Sequence, residues 1–343
     1  MGEQRRTERR ILVTLPVTEG HKRRLAEAAE GAELLCERDM EKIRELIETV
    51  DGVIGNLPPE LLKRNRNLGW VQLSSAGTDG YTKEGVLPVD TVLTNATGAY
   101  GLAISEHMVG MVLSLLKKFP KYLENQRQHL WKDEGMVRSV YGSRVLIVGL
   151  GDIGMEFAVR MKAFGSYIVG IRRTIHEKPD CVDELYTMDA LKEELGKADI
   201  VASCLPGTEA TRGLFGSAML HSMKRGAVFL NVGRGTAVDT DALAEALREG
   251  YLLGAGVDVT EPEPLPPESP LWDCENVIIT PHVSGGFHLE YTLDRIVEIS
   301  CRNLRAYLGE GEYVSPVDRS TGYKRADAGI KWAPFQGISH QSE

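Results

Sequence analysis

Val145-Leu-Ile-Val-Gly149-Leu-Gly151-Asp-Ile-Gly154 decides the fold of this chain. An apolar, largely β-branched run ends in the pattern Gly149-x-Gly151-x-x-Gly154, and a helix-like segment, Met155 to Phe164, follows. The reading is strand, tight turn, helix start. That arrangement holds a dinucleotide pyrophosphate. Gly149 permits the turn, Gly151 lets the backbone approach the phosphates, and Gly154 lets helix and strand pack closely. The helix start at Asp152 and Ile153 adds N–H donors and a partial positive charge. Gly149, Gly151, Asp152, Ile153 and Gly154 are therefore the candidate pyrophosphate residues.

Working outward, the first hundred residues alternate strand and helix signals. Strands are expected at Arg10 to Leu15, Glu33 to Cys36, Asp51 to Gly55 and Trp70 to Ser74, with helices at His21 to Glu30, Met40 to Thr49 and Pro59 to Asn65. Strands separated by helices imply βαβ units and a parallel sheet. No phosphate-type glycine loop follows the first strand. A second α/β series starts near Asn95 with a long apolar helix, Gly101 to Phe119, ended by Pro120. After the glycine motif come strands at Tyr167 to Ile171, Ile200 to Cys204, Ala227 to Val232, Gly254 to Val259 and Val277 to Thr280. Helices are expected at Met188 to Leu195, Thr240 to Glu249 and Leu289 to Leu308. Beyond Ser315 the periodicity fades, and apart from Trp332 and Phe335 the polar, basic tail has little to bury.

At 343 residues the chain is long enough for two full cores. A net charge of −9 opposes general nucleic-acid binding. No apolar run reaches the roughly 20 residues that span a bilayer, so no membrane segment is expected. The basic N-terminus carries Glu3 and Glu8 and no apolar stretch, unlike a secretory signal. Five scattered cysteines without a Cys-x-x-Cys pair fit reduced thiols and a cytoplasmic protein. No His/Cys/Asp cluster has zinc spacing, so no metal is expected.

In the NAD form of the motif an acidic residue follows the second strand, about 20 residues on, and binds the adenosine ribose. Here Tyr167-Ile-Val-Gly-Ile171 runs into Arg172-Arg173. Two guanidinium groups there suit a 2′-phosphate, which favours NADP(H). The pair also reads as a solvated strand end stacking on adenine, which leaves NAD(H) possible.

Three further segments sit at strand ends: Asn231-Val-Gly-Arg234-Gly, Asp258-Val-Thr-Glu-Pro-Glu263-Pro-Leu265 and Thr280-Pro-His282-Val-Ser-Gly-Gly286. In a parallel sheet such ends converge on the ligand crevice. They bring a cation, a carboxylate and an imidazole, the groups needed to reduce a 2-keto acid.

With these segments in this order and spacing, the chain resembles the D-isomer-specific 2-hydroxyacid dehydrogenase family over about residues 10–315. The resemblance implies two Rossmann-like, doubly wound α/β domains. One is a discontinuous, flavodoxin-like substrate domain (about 1–99 and 289–315) and the other a dinucleotide-binding domain (about 100–288). Residues 316–343 form a tail outside the usual fold. By the resemblance Arg234, Glu263 and His282 match the catalytic Arg, Glu and His. Arg234 would pair with substrate carboxylate and 2-oxo oxygen. His282 would donate the proton, and Glu263 would hold the ring and favour its charged form.

The resemblance also places the backbone around Ala76 and Gly77, in Leu73-Ser-Ser-Ala-Gly77-Thr-Asp, on the substrate carboxylate. Asp258 is expected near the nicotinamide carboxamide. Leu205, Pro206, Val232 and Gly233 would line the cofactor, with Thr211 at the phosphates. Tyr100 is a substrate-pocket candidate, packing being the alternative, and His107 reads as structural. A homodimer through the 101–119 helix and the following arm, to Trp131, is implied. The expected reaction is NADP(H)-preferring reduction of a small 2-keto acid, glyoxylate or hydroxypyruvate being the simplest. Two alternatives remain. One is a corepressor-like dinucleotide sensor without turnover. The other is formate oxidation, against which Glu263 argues, because those enzymes carry Gln there.

Overall fold

The computed structural model describes residues 9–175, 177–287 and 289–324. The basic residues 1–8 and the stretch 325–343, with Trp332 and Phe335, lie outside the described residues. The chain divides into two compact units, Met1–Tyr100 with Phe287–Glu343, and Gly101–Gly286.

The first unit is built on a five-stranded parallel sheet. Its strands are β1 (Arg9–Val13), β2 (Ala32–Cys36), β3 (Gly52–Ile54), β4 (Trp70–Gln72) and β5 (Val92–Thr94), in the order β2-β1-β3-β4-β5. That is the flavodoxin-type order. Ile11, Leu12, Val13, Val53 and Ile54 are fully buried, as in a sheet covered on both faces. The helix Glu19–Ala28 starts with a reciprocal cap between Thr18 and His21. The long helix Glu290–Leu308 returns to this unit and buries Leu293, Ile296, Val297 and Leu304. Its Asn303 Nδ2 donates to Gln72 Oε1 (2.7 Å), which also accepts from Thr94 Oγ1 (2.7 Å). This buried polar pairing fixes the helix against β4 and β5 in one register.

Two elements of this unit depart from the sequence reading. β5 is three residues long and carries no alternation to betray it. Just beyond Ser315, where the periodicity of the sequence fades, the chain is still ordered against this unit. Val317 is only 3% exposed, and Val317–Asp318 pairs antiparallel with Tyr323–Lys324. A two-residue strand leaves no period to detect.

The second unit has a seven-stranded sheet. The strands are β6 (Arg144–Val148), β7 (Tyr167–Ile171), β8 (Glu184–Tyr186), β9 (Ile200–Ser203), β10 (Val228–Asn231), β11 (Gly254–Val257) and β12 (Val277–Ile279). Their order is β12-β11-β10-β9-β6-β7-β8, all parallel. β6 pairs with both β7 and β9, so the strand order reverses beside it, where open α/β sheets bind ligands. β8 was missed because its polar Asp183-Glu-Leu-Tyr sequence suits an edge. Glu184 is tied there by Arg144 and by Tyr167 Oη (2.9 Å). Pro120 also corrects the reading. The apolar helix is Gly101–Leu116, and Pro120 sits in the first turn of a second helix, Phe119–Arg127, where its missing N–H costs nothing. Lys118, with φ 59°, makes the break.

Candidate active site

Two of the three glycines of the β6 turn are required by the fold, each for a different reason. Gly149 has φ 101°, and a Cβ there would lie 2.8 Å from Cys204 O. A Cβ on Gly154 would fall 2.3 Å from Gly149 O, so only glycine lets the helix Asp152–Ala163 close on its strand. A Cβ on Gly151 would meet nothing within 4 Å. The fold therefore does not demand glycine at 151, and the space beside it is open. Among the described residues no side chain caps the helix that begins at Asp152. The Asp152 carboxylate instead accepts from Gly101 N (2.9 Å), joining two helix starts, and Ile153 is half-buried beside it. These features fit a dinucleotide pyrophosphate.

Arg172 and Arg173 do not act as a pair. Arg172 Nε and Nη2 both donate to Leu150 O (3.1 and 2.8 Å), clipping β7 to the glycine turn. Burial holds its guanidinium below the usual arginine range. Arg173 is exposed. At the neighbouring strand ends, a Cβ on Gly233 would lie 2.2 Å from Leu205 O, so Val232–Gly233 and Leu205–Pro206 press together. Thr211 Oγ1 donates to Pro206 O (2.7 Å) and accepts from Thr208 N (2.9 Å), so its hydroxyl is committed within its own loop. Burial pushes the nearby Cys204 thiol up to about 12, which keeps it an inert thiol.

The three strand-end segments join in a chain of contacts. Arg234 follows β10, its Nη1 donating to Gly233 O (2.9 Å) and its carbonyl accepting from Asn231 Nδ2 (3.1 Å). A Cβ on the next residue, Gly235, would fall 1.8 Å from Thr260 O, so the Arg234 turn lies directly on the Thr260 loop. Thr260 N donates to Glu263 Oε1 (3.0 Å), and Glu263 Oε2 lies 2.9 Å from His282 Nδ1. An ionised carboxylate only accepts, so Nδ1 carries a proton. Among the described residues Nε2 has no partner, and the ring is half exposed (50%, against 40% for Glu263). An imidazole oriented through one nitrogen and open at the other is a proton donor or acceptor waiting for a partner.

His282 has φ 52°, a left-handed conformation that costs a non-glycine residue energy and needs outside support. Asp258, 2% exposed, supplies it. Its Oδ1 accepts from Thr280 Oγ1 (2.6 Å) and Val283 N (3.0 Å), and its Oδ2 from Ser284 N (3.2 Å) and Ser284 Oγ. His282 N donates to the Asp258 carbonyl (2.8 Å). Asp258 is thus the brace of the His282 loop. Thr280 and Ser284 were missed in the sequence, although a hydroxyl two residues either side of His282 was a visible signal. His107 is tied in as well, with Nε2 3.1 Å from Thr280 Oγ1. The one Thr280 hydroxyl proton goes to Asp258, so His107 Nε2 donates. Among the described residues no group of three His, Cys, Asp or Glu is placed to hold a metal ion.

In the first unit the Ser74–Asp79 loop turns its carbonyls inward. Ser75 O accepts from Ala96 N (2.9 Å), Ala76 O from Asn95 Nδ2 (2.7 Å) and Gly77 O from Ser75 Oγ (2.7 Å). Asn56 Oδ1 receives Ser74 N (2.9 Å). The N–H groups of Ala76 and Gly77 donate to no acceptor among the described residues. Tyr100, 8% exposed, donates its hydroxyl to Ser74 O. Burial pushes its phenol up, and it braces this loop through its hydroxyl.

Comparison with known proteins agrees. A family model, "D-isomer specific 2-hydroxyacid dehydrogenase, NAD binding domain", matches residues 109–284. A glyoxylate reductase of Thermococcus gammatolerans is 32% identical over 288 residues, covering 78% of this chain and 81% of that protein. A family protein of Aeromonas salmonicida has a solved structure with TM-score 0.79 and 33% identity, covering 91% of this chain and all of that one. The NADPH-dependent glyoxylate/hydroxypyruvate reductase of Sinorhizobium meliloti, solved with NADP and sulfate, gives TM-score 0.78 at 28% identity, covering 92% of this chain and 100% of that one. The chain belongs to the D-isomer specific 2-hydroxyacid dehydrogenase family and is an NAD(P)-dependent dehydrogenase.

Proposed function

We propose that the chain reduces a small 2-keto acid, glyoxylate or hydroxypyruvate, with NADPH. The observation that carries this reading is the Glu263–His282 contact at 2.9 Å, with Nε2 left open. Arg234 binds the substrate's carboxylate and 2-oxo oxygen and fixes its orientation. His282 Nε2 donates the proton to that oxygen as it gains charge. Glu263 keeps the ring oriented through Nδ1. The N–H groups of Ala76 and Gly77 are donors for the carboxylate. The first turn at Asp152 and the bare face of Gly151 hold the cofactor pyrophosphate, with Leu205, Pro206, Val232 and Gly233 beside it. The nicotinamide, when bound, supplies the hydride.

The preference for NADPH rests on Arg173, exposed after β7 where the NAD form of the motif has an acidic residue, with Arg172 bracing the glycine turn beside it. Relatives named for glyoxylate reduction and an NADPH-dependent structural neighbour support the substrate and cofactor together. We place two copies in the working enzyme. Phe119, Leu123, Leu130, Trp131 and Met136 are all exposed on the arm after the helix Gly101–Leu116, an apolar surface that a second copy would cover. Five free cysteines fit the reducing cytoplasm.

The test is NADPH consumption across glyoxylate, hydroxypyruvate, pyruvate, phenylpyruvate and branched 2-keto acids. The two smallest acids are expected to give the highest kcat/KM. Turnover of bulky acids alone overturns the substrate assignment, and no turnover of any overturns the reaction.

A further inference from the structure

We propose that the C-terminal hairpin, residues 316–324, clamps the Ser74–Asp79 loop in its anion-binding shape, with Arg319 and Thr78 as positioning residues. The proposal rests on the reading above that this loop receives the substrate carboxylate.

The loop needs outside support. Residues 73–91 contain neither helix nor strand, and so long an irregular stretch holds one shape only if something else ties it. The hairpin ties it at two points. Thr78 Oγ1, beside the N–H groups of Ala76 and Gly77, donates to Gly322 O (2.7 Å). Arg319 Nη1 donates to Pro88 O (2.6 Å) and Val89 O (3.2 Å), and Nη2 to Leu87 O (3.0 Å). One planar guanidinium thus gathers three successive carbonyls around a proline, which has no N–H to give a ladder.

The hairpin is itself anchored to the sheet. Pro316 bridges Thr94 antiparallel, Asn95 N donates to Ser315 O (3.1 Å), and Val317 is buried among Tyr81, Val86 and Leu87. Asp318 Oδ1 accepts from Ser320 N (2.9 Å) and Ser320 Oγ (2.7 Å), and Asp318 O accepts from Gly322 N (2.8 Å). Gly322, with φ 75°, closes this turn and delivers its carbonyl to Thr78. The burial of Val317 alone would fasten the chain end. The bonds from Thr78 and Arg319 add no apolar burial; they fix where the loop backbone lies. Unspent N–H donors bind a carboxylate well only when they are already aimed.

The experiment uses the full chain with Thr78→Val, Arg319→Gln and, as the conservative control, Thr78→Ser. Amide exchange is followed in peptides covering residues 74–91. Affinity for oxalate, an unreactive dicarboxylate, is measured with NADPH present, alongside kcat and KM for glyoxylate. In Thr78→Val and Arg319→Gln, exchange is expected to quicken about tenfold. Oxalate affinity should weaken and glyoxylate KM rise by about tenfold, kcat falling less and NADPH affinity holding. Thr78→Ser should restore both. Unchanged exchange overturns the clamp, as does faster exchange with unchanged oxalate affinity. A wild-type chain that does not bind oxalate overturns it too. A chain that binds oxalate but reduces no 2-keto acid overturns the functional reading instead, while the exchange and oxalate results still decide the clamp.

Discussion

The His282 loop and the Ser74–Asp79 loop are held in opposite ways. The first is braced from nearby in the sequence: Glu263 stands 19 residues from His282, and Asp258 25 residues from Val283. The second is tied from the far end of the chain, Gly322 lying 244 residues from Thr78. The braces also differ in chemistry. Carboxylates hold the His282 loop and fix the orientation of its ring. Neutral carbonyls, a hydroxyl and one guanidinium hold the other loop and set only its shape. Changes in the first should therefore alter rate, and changes in the second should alter affinity.

Among the bracing residues the largest expected effect sharpens that contrast. Glu263→Gln keeps the shape and removes the charge, so kcat should fall about a hundredfold. The pair is half exposed, so stability should change by less than about 1 kcal/mol. An unchanged kcat would break the distinction between the loops.

Gly151→Ala tests the cofactor turn, where open space surrounds the built Cβ. Its thermal stability should match wild type while NADPH affinity drops about tenfold. Equal affinity would show that no ligand backbone approaches there. The smallest effect is Arg173→Ala, which should weaken NADPH about fivefold and leave NADH unchanged, since exposed charge contacts are worth about 1 kcal/mol. Equal loss for both cofactors would remove the phosphate assignment from Arg173. Arg172 is unsuitable for this measurement, because its bonds to Leu150 O brace the turn for either cofactor.

The same contrast explains what the sequence disclosed. The glycine turn and the Arg234, Glu263 and His282 segments were legible because each is a short run at a strand end, where residue type and spacing express the geometry. The bracing role of Asp258 was not, since a carboxylate beside a cofactor site and one beneath the His282 loop look alike until the partners at Thr280 and Ser284 are placed. Tyr100 was legible only as a choice between pocket and packing, and its bond to Ser74 O is a contact no sequence pattern announces. The ties from Arg319 and Gly322 were invisible, because no local pattern announces a partner more than two hundred residues away.

The most direct test of the central claim is single-turnover hydride transfer from NADPH to glyoxylate by wild type and His282→Ala, with NADPH affinity measured in both. Transfer is expected in wild type, with a loss of about 10²–10⁴-fold in the variant and equal NADPH affinity. Transfer at the same rate in both proteins would contradict it.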